Sequence, residues 1–168
     1  MCFYIIGQVK EVLYKGLHFE LFNAREQIKE NNIDNSIVIL ERAICFVKYI
    51  ADTWNVLSTI KPEGFNEFRD FLGTASGQLS FMYRHVEFIL GNKSLKMALA
   101  HKNVPQVWPE IKKSLETPSL YDEIICYLNR QGFTLSKQAL DRDWTQTYKS
   151  ESSVKDAWLS IYKSASSD

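Results

Sequence analysis

Leu40-Glu41-Arg42-Ala43-Ile44-Cys45-Phe46-Val47-Lys48-Tyr49-Ile50-Ala51-Asp52-Thr53-Trp54-Asn55-Val56-Leu57 decides the fold class. Within it Leu40, Ala43, Ile44, Val47, Ile50, Ala51, Trp54 and Leu57 recur at steps of three and four. That is the period of an amphipathic helix, and it rules out the strict alternation of a half-buried strand. Upstream, Ile6, Val9, Leu13, Leu17 and Leu21 mark one face of an earlier helix, over about residues 3–29. Asn31-Asn32-Ile33-Asp34-Asn35 interrupts the two, and Asp34 or Asn35 is the expected cap. Downstream, Lys61-Pro62-Glu63-Gly64 reads as a turn with Pro62 at a first helical position. A third segment runs from Phe65 to about Leu90, is broken near Gly73–Gly77, and ends at Gly91-Asn92 by left-handed capping. Short links between long helices favour antiparallel packing.

Beyond Ser94 the pattern shortens. Val104-Pro105-Gln106-Val107-Trp108-Pro109 is a connector, followed by a helix to about Leu115. Thr117-Pro118 reads as an N-cap with a first-turn proline, opening a helix that stops at Gly132. Leu135–Leu140 forms a short helix, and Ser152 or Ser153 caps a last one before a frayed Ser164–Asp168 end. The expected fold is all-α. An antiparallel helical bundle core over 1–95 carries the candidate pocket motifs, with a smaller C-terminal set of short helices over 96–168 packed on or beside it.

Twenty basic and twenty acidic residues cancel, so net charge points to neither nucleic acid nor an anionic membrane. No window approaches the ~18–20 apolar residues of a membrane span, and the N-terminus lacks the basic segment of a signal peptide. Cys2, Cys45 and Cys126 are widely spaced, which fits reduced thiols in a cytoplasmic protein. Cys45, inside an apolar stripe, is the expected core filler. The Asp122-Glu123 pair, Asp141 and Asp143 read as solvated helix-end charges. No cluster has zinc-ligand spacing, and there is no phosphate loop or nucleophile elbow.

One stretch carries recognisable chemistry: Phe65-Asn66-Glu67-Phe68-Arg69-Asp70-Phe71-Leu72-Gly73-Thr74-Ala75-Ser76-Gly77. Arg69 sits among aromatic residues on a helical face, and a guanidinium cannot shed its proton, so it calls for an anion. The small, hydroxyl-bearing run after it offers backbone N–H groups with little bulk in the way. Together they predict a pocket floor for a flat molecule bearing a carboxylate. The alternative for Arg69 is a surface ion pair with Glu67 or another carboxylate, which contributes little.

The same residues resemble the haem-dependent tryptophan 2,3-dioxygenases. The run Phe68–Gly77, then Arg84, Glu87-Phe88 and Leu90-Gly91-Asn92-Lys93, matches in order. So do the opening Met1–Gln8, Glu20-Leu21, Pro118–Glu123, Tyr127-Leu128 and Arg142-Asp143-Trp144. The resemblance implies haem as cofactor, L-tryptophan or a related aromatic amino acid as substrate, and a homo-oligomer. It implies oxidative opening of the indole ring to N-formylkynurenine, the first step of tryptophan catabolism through the kynurenine pathway.

Carried onto this chain, the resemblance puts Arg69 on the substrate carboxylate and Ser76 near a substrate or haem edge. Phe3 and Trp54 would wall the indole and haem pocket, although their spacing alone makes them ordinary core residues. Two positions depart from the family. Phe65 stands where the family has a tyrosine that helps hold the carboxylate, and Gly7 replaces the distal histidine that holds the indole N–H. The family's proximal haem histidine and Gly-Thr-Gly-Gly-Ser-rich loop follow the matched region, and its N-terminal arm precedes Met1. The chain is therefore expected to be truncated at both ends relative to the family. None of His18, His85 and His101 sits at the ligand's place; His85, on a helix near the site, is the candidate substitute ligand, against the plainer reading of a surface or half-buried helical residue. The alternative function is a catalytically inactive relative that binds ligand or oligomerises.

Overall fold

A computed structural model describes residues 2–73 and 77–165; among them it is helical, with no strand. The all-α expectation holds. The longest helices, α1 (Cys2–Lys29) and α2 (Ile33–Leu57), form an antiparallel hairpin. Their seam buries Leu17, Leu21, Ala24 and Ile28 of α1 against Ile39 and Ala43 of α2. Gly16 sets the approach higher up, because a Cβ there would lie 2.5 Å from the Phe46 ring. Asn31 closes the turn at φ 62°, a conformation asparagine tolerates.

The cap between them differs from expectation. Asn32 occupies the N-cap, and neither it nor Asn35 caps with its side chain: both side-chain amides donate to Gln27 Oε1, at 2.8 and 2.7 Å. Asp34 falls in the first turn, where its charge meets the positive end of the helix dipole. The α2 stripe is also only partly core. Ile44, Val47 and Trp54 are exposed, as is Cys45, which is not the expected core filler. The apolar band on α2 is wider than the face α1 covers.

Pro62 opens α3 (Pro62–Arg69), as its fixed φ favours, and a 3-10 turn over Asp70–Leu72 ends at Gly73 in a left-handed conformation. A second such turn, Gly77–Leu79, leads to α4 (Phe81–Ile89), capped by the Ser80 hydroxyl accepting from the Tyr83 N–H. Helix α4 runs through the centre, burying Met82, Val86, Phe88 and Ile89 together with Arg84, which pairs with Glu87. Gly91, at φ 95°, ends it as expected.

The short helices α5 (Leu95–Leu99) and α6 (Trp108–Glu116) bury Ala98, Ile111 and Leu115 around Phe88. Helix α7 (Leu120–Arg130) starts two residues later than Thr117-Pro118 suggested. Ser119 is the N-cap, in a reciprocal capping box with Asp122 that satisfies two orphan donors at once. Asp122 and Glu123 are buried rather than solvated: Asp122 pairs with Arg142, and Glu123 with Arg130. Arg130 also closes the α1 end, donating to the Ile28 carbonyl at 2.7 Å and to Asn31 Oδ1 at 2.9 Å. Helix α7 thus shows one face to α1 and another to a C-terminal core of Leu135, Ala139, Val154 and Ala157. That core comes largely from α8 (Lys137–Leu140) and α9 (Ser152–Ala165). Glu151, not a serine, caps α9, accepting from the Val154 N–H at 3.2 Å. Among the described residues no helix is long and apolar enough to cross a membrane.

Candidate functional site

Helix α1 presents Phe3, Gly7, Lys10 and Tyr14 at steps of three and four, so they form one longitudinal stripe. That stripe is the floor of a cavity of about 610 Å³. Trp54 and Leu57 near the end of α2 close one side of it, and Leu72, Gly77, Ser80 and Tyr83 close the other. Phe3 anchors α3, its ring 6.0 Å from Phe65 and 5.6 Å from Phe68. Phe65 and Phe68 meet edge to face at 5.2 Å, a favourable arrangement of ring quadrupoles.

The expected site residues divide. Phe3, Gly7 and Trp54, separated by up to 51 residues of sequence, line the same cavity. Phe65 reaches it through its contact with Phe3. Arg69 is exposed at the C-terminal end of α3 and is not among the described lining residues. Ser76 lies outside the described residues. A side chain at Gly7 would meet nothing within 4 Å of its Cβ, so the glycine leaves open room above the floor.

Residues the sequence reading passed over supply the polar groups. The Lys10 ammonium sits 3.4 Å from the centroid of the Trp54 ring, a cation–π contact. Glu11, on the next position, lines the cavity too, and its Oε2 is buried with no hydrogen-bond partner among the described residues. The Tyr14 and Tyr83 rings meet at a tilt of 51°, centroids 5.3 Å apart, and burial, followed by the neighbouring Tyr83, holds the Tyr14 phenol above its ordinary range. The signal was available: stepping along α1 from Phe3 and Gly7 lands on Lys10 and Tyr14.

Further along α1, and sharing Glu11 with the first, a second cavity of about 640 Å³ lies against α4 and α6, with Phe19, Phe22, Phe81 and Met82 around His18 and His85. The half-buried reading of His85 is corrected here, because the packing of α4 buries it.

A profile of the tryptophan 2,3-dioxygenase family matches residues 1–166. The chain belongs to the tryptophan 2,3-dioxygenase family. It is 38% identical over 165 residues to a tryptophan 2,3-dioxygenase of Shewanella woodyi, covering 98% of this chain and 58% of that relative. It is 36% identical over 163 residues to one of Burkholderia ambifaria, covering 97% of this chain and 53% of that relative. A Burkholderia mallei tryptophan 2,3-dioxygenase is 37% identical over the same length. The chain spans about half the length of the curated relatives it matches.

Tryptophan 2,3-dioxygenases use haem, so the cavity's donors matter. Its flat aromatic walls and apolar Leu57 and Leu72 suit the body of a porphyrin. Its iron is another matter. Among the described lining residues there is no histidine, cysteine or methionine; the phenols present are Tyr14, which burial holds protonated, and Tyr83, whose ring packs against it. The residues described here fit the porphyrin plane and do not fit axial ligation.

Proposed function

We propose that this chain forms the substrate-facing wall of a tryptophan 2,3-dioxygenase, holding an aromatic amino acid in the cavity between α1, α2 and α4. The observation that carries the reading is the convergence of Phe3, Gly7 and Trp54 on one cavity, given that the family resemblance assigns all three to the pocket. The stripe on α1 supplies a flat apolar floor on which an indole gains by burial and ring contact. Phe65 and Phe68 pack on Phe3 at one end of that floor. Gly7 cannot accept a hydrogen bond from the indole N–H, so the wall selects on shape there and not on polarity. By resemblance the substrate carboxylate falls to Arg69, which stands exposed at the end of α3 outside the described cavity lining and would have to turn inward to reach it.

Two measurements test this. Calorimetry of the chain with L-tryptophan, without haem, should give saturable binding that Trp54→Ala weakens; no binding would leave a purely structural role. Product analysis for N-formylkynurenine then separates a dioxygenase from an inactive relative.

A further inference from the structure

We propose that the second cavity, bounded by α1, α4 and α6, binds an aromatic amine, with the ring among phenylalanines and the ammonium at Glu110. This site stands apart from the amino-acid reading of the first cavity, sharing with it, among the described lining residues, Glu11 alone. At about 640 Å³ the space is that of a small-molecule site and has room for a two-ring aromatic. Phe19 and Phe22 line it from one face of α1, three residues apart, and Phe81 lines it from the start of α4. All three rings are exposed, so a ligand lying on them would take apolar surface out of water.

Charge decides which aromatic. Glu110 lies in the first turn of α6, where a carboxylate complements the positive end of the helix dipole. Glu11 is the second carboxylate on the lining. Among the described residues neither pairs with a protein cation. His18 and His85 also line the cavity and add no opposing charge near pH 7, since burial lowers both imidazoles, His18 to about 4. Lys15 is the single cation among the described lining residues, and it is exposed, with a stem long enough to carry its ammonium out into water. Phenyl faces carry the negative side of the ring quadrupole and favour a cation beside them. An anionic aromatic would meet two carboxylates instead.

Two of the chain's three histidines line this cavity, and the described lining of the first cavity has none, so imidazole signals report on this one. The Cε1–H resonances of His18 and His85, assigned with His18→Gln and His85→Gln, are followed on the full chain near pH 7. The probes are naphthylethylamine, naphthylethanol and naphthylacetate. The amine should shift both resonances saturably and bind about tenfold more tightly than the alcohol, with the acid weakest. Glu110→Gln should remove most of that preference, whereas Phe19→Ser should weaken amine and alcohol alike. Both positions are exposed, so neither change should disturb the fold. Trp54→Ala, in the first cavity, should leave the shifts unaltered. Equal affinity for amine and alcohol, or a preference that Glu110→Gln does not diminish, would overturn the placing of the ammonium. Absence of any histidine shift, or its loss in Trp54→Ala, would overturn the site itself.

Discussion

The imidazoles of His18 and His85 face each other across the junction of α1 and α4, ring centroids 5.2 Å apart. All three histidines of the chain take part, because His101, between α5 and α6, acts electrostatically on His85. Burial, then His85, then Arg25, brings His18 down to about 4; burial, then His101, lowers His85; burial, then Arg84, lowers His101. Burial disfavours the charged ring and the neighbouring positive charge adds to it.

The sign follows directly. The unfolded chain takes up these protons near the ordinary 6.5, while the folded chain takes up that of His18 only near 4. Between those values acid favours unfolding, so stability is full above about pH 6.5 and declines toward pH 4. Urea midpoints measured from pH 7.5 down to 4.5 should fall for the wild type and fall less steeply for His18→Gln, which cannot charge. Parallel profiles would show that these rings do not set the acid response.

Asp122 and Arg142 form the strongest side-chain tie between α7 and the segment before α9, with Arg142 Nη2 2.9 Å from Asp122 Oδ2. Burial alone would raise the Asp122 carboxyl, but hydrogen bonds from Arg142 and Ser119 win and hold it below the usual range. Arg142→Met strands a buried carboxylate and should cost about 3–5 kcal/mol, seen as a large drop in chemical-denaturation midpoint. Adding Asp122→Asn to that variant should recover part of the loss; strict additivity would mean the two residues do not act as a pair.

Lys93 works as the C-cap of α6. Its ammonium, buried with the side chain, donates to the carbonyls of Ser114, Leu115 and Thr117 at 2.6, 3.1 and 2.7 Å. Burial lowers it to about 8, which still leaves a cation at neutral pH. Lys93→Met should cost about 2–3 kcal/mol by leaving these carbonyls without that donor. Hydrogen exchange should quicken first in the last turn of α6; uniform exchange rates would argue against a local cap.

The helices themselves were legible in the amino-acid pattern because α1, α2 and the start of α3 obey period and punctuation together. What stayed illegible depends on distant partners. Asp122 and Glu123 look solvated until Arg142 and Arg130 are folded onto them, and no local rule announces a pairing across twenty residues or from a helix end. Trp54 and Cys45 keep helical spacing yet stay exposed, since periodicity reports a face and not whether anything covers it. At the candidate site, resemblance placed Phe3, Gly7 and Trp54, while Lys10 and Glu11 escaped notice as ordinary helix-surface charges. Their meaning comes from the cavity they border.

Two glycines of α1 should respond oppositely to alanine. Glycine inside a helix costs about 1 kcal/mol relative to alanine, so Gly7→Ala, with open space around the new Cβ, should stabilise by about that amount. At Gly16 the Cβ would press into the Phe46 ring at 2.5 Å, and overpacking typically costs about 1–3 kcal/mol. Gly16→Ala should therefore melt below Gly7→Ala and no higher than the wild type. A higher melting temperature for both would show that Phe46 swings aside freely.

Gly7→His carries the same logic into function. The open surroundings of Gly7 accommodate an imidazole without displacing the backbone, and exchanging glycine for histidine in a helix interior is worth a few tenths of a kcal/mol, so the fold should tolerate it. The new ring would stand over the floor between Phe3 and Lys10, where the resemblance places a histidine that holds the indole N–H. A neutral imidazole there can accept that hydrogen bond, worth about 0.5–1.5 kcal/mol net. L-Tryptophan should then bind more tightly to Gly7→His than to the wild type, by a few-fold to about tenfold, while 1-methyltryptophan, which has no N–H to donate, should gain nothing. Equal gains for both ligands would mean the imidazole adds only packing, and the indole lies elsewhere in the cavity.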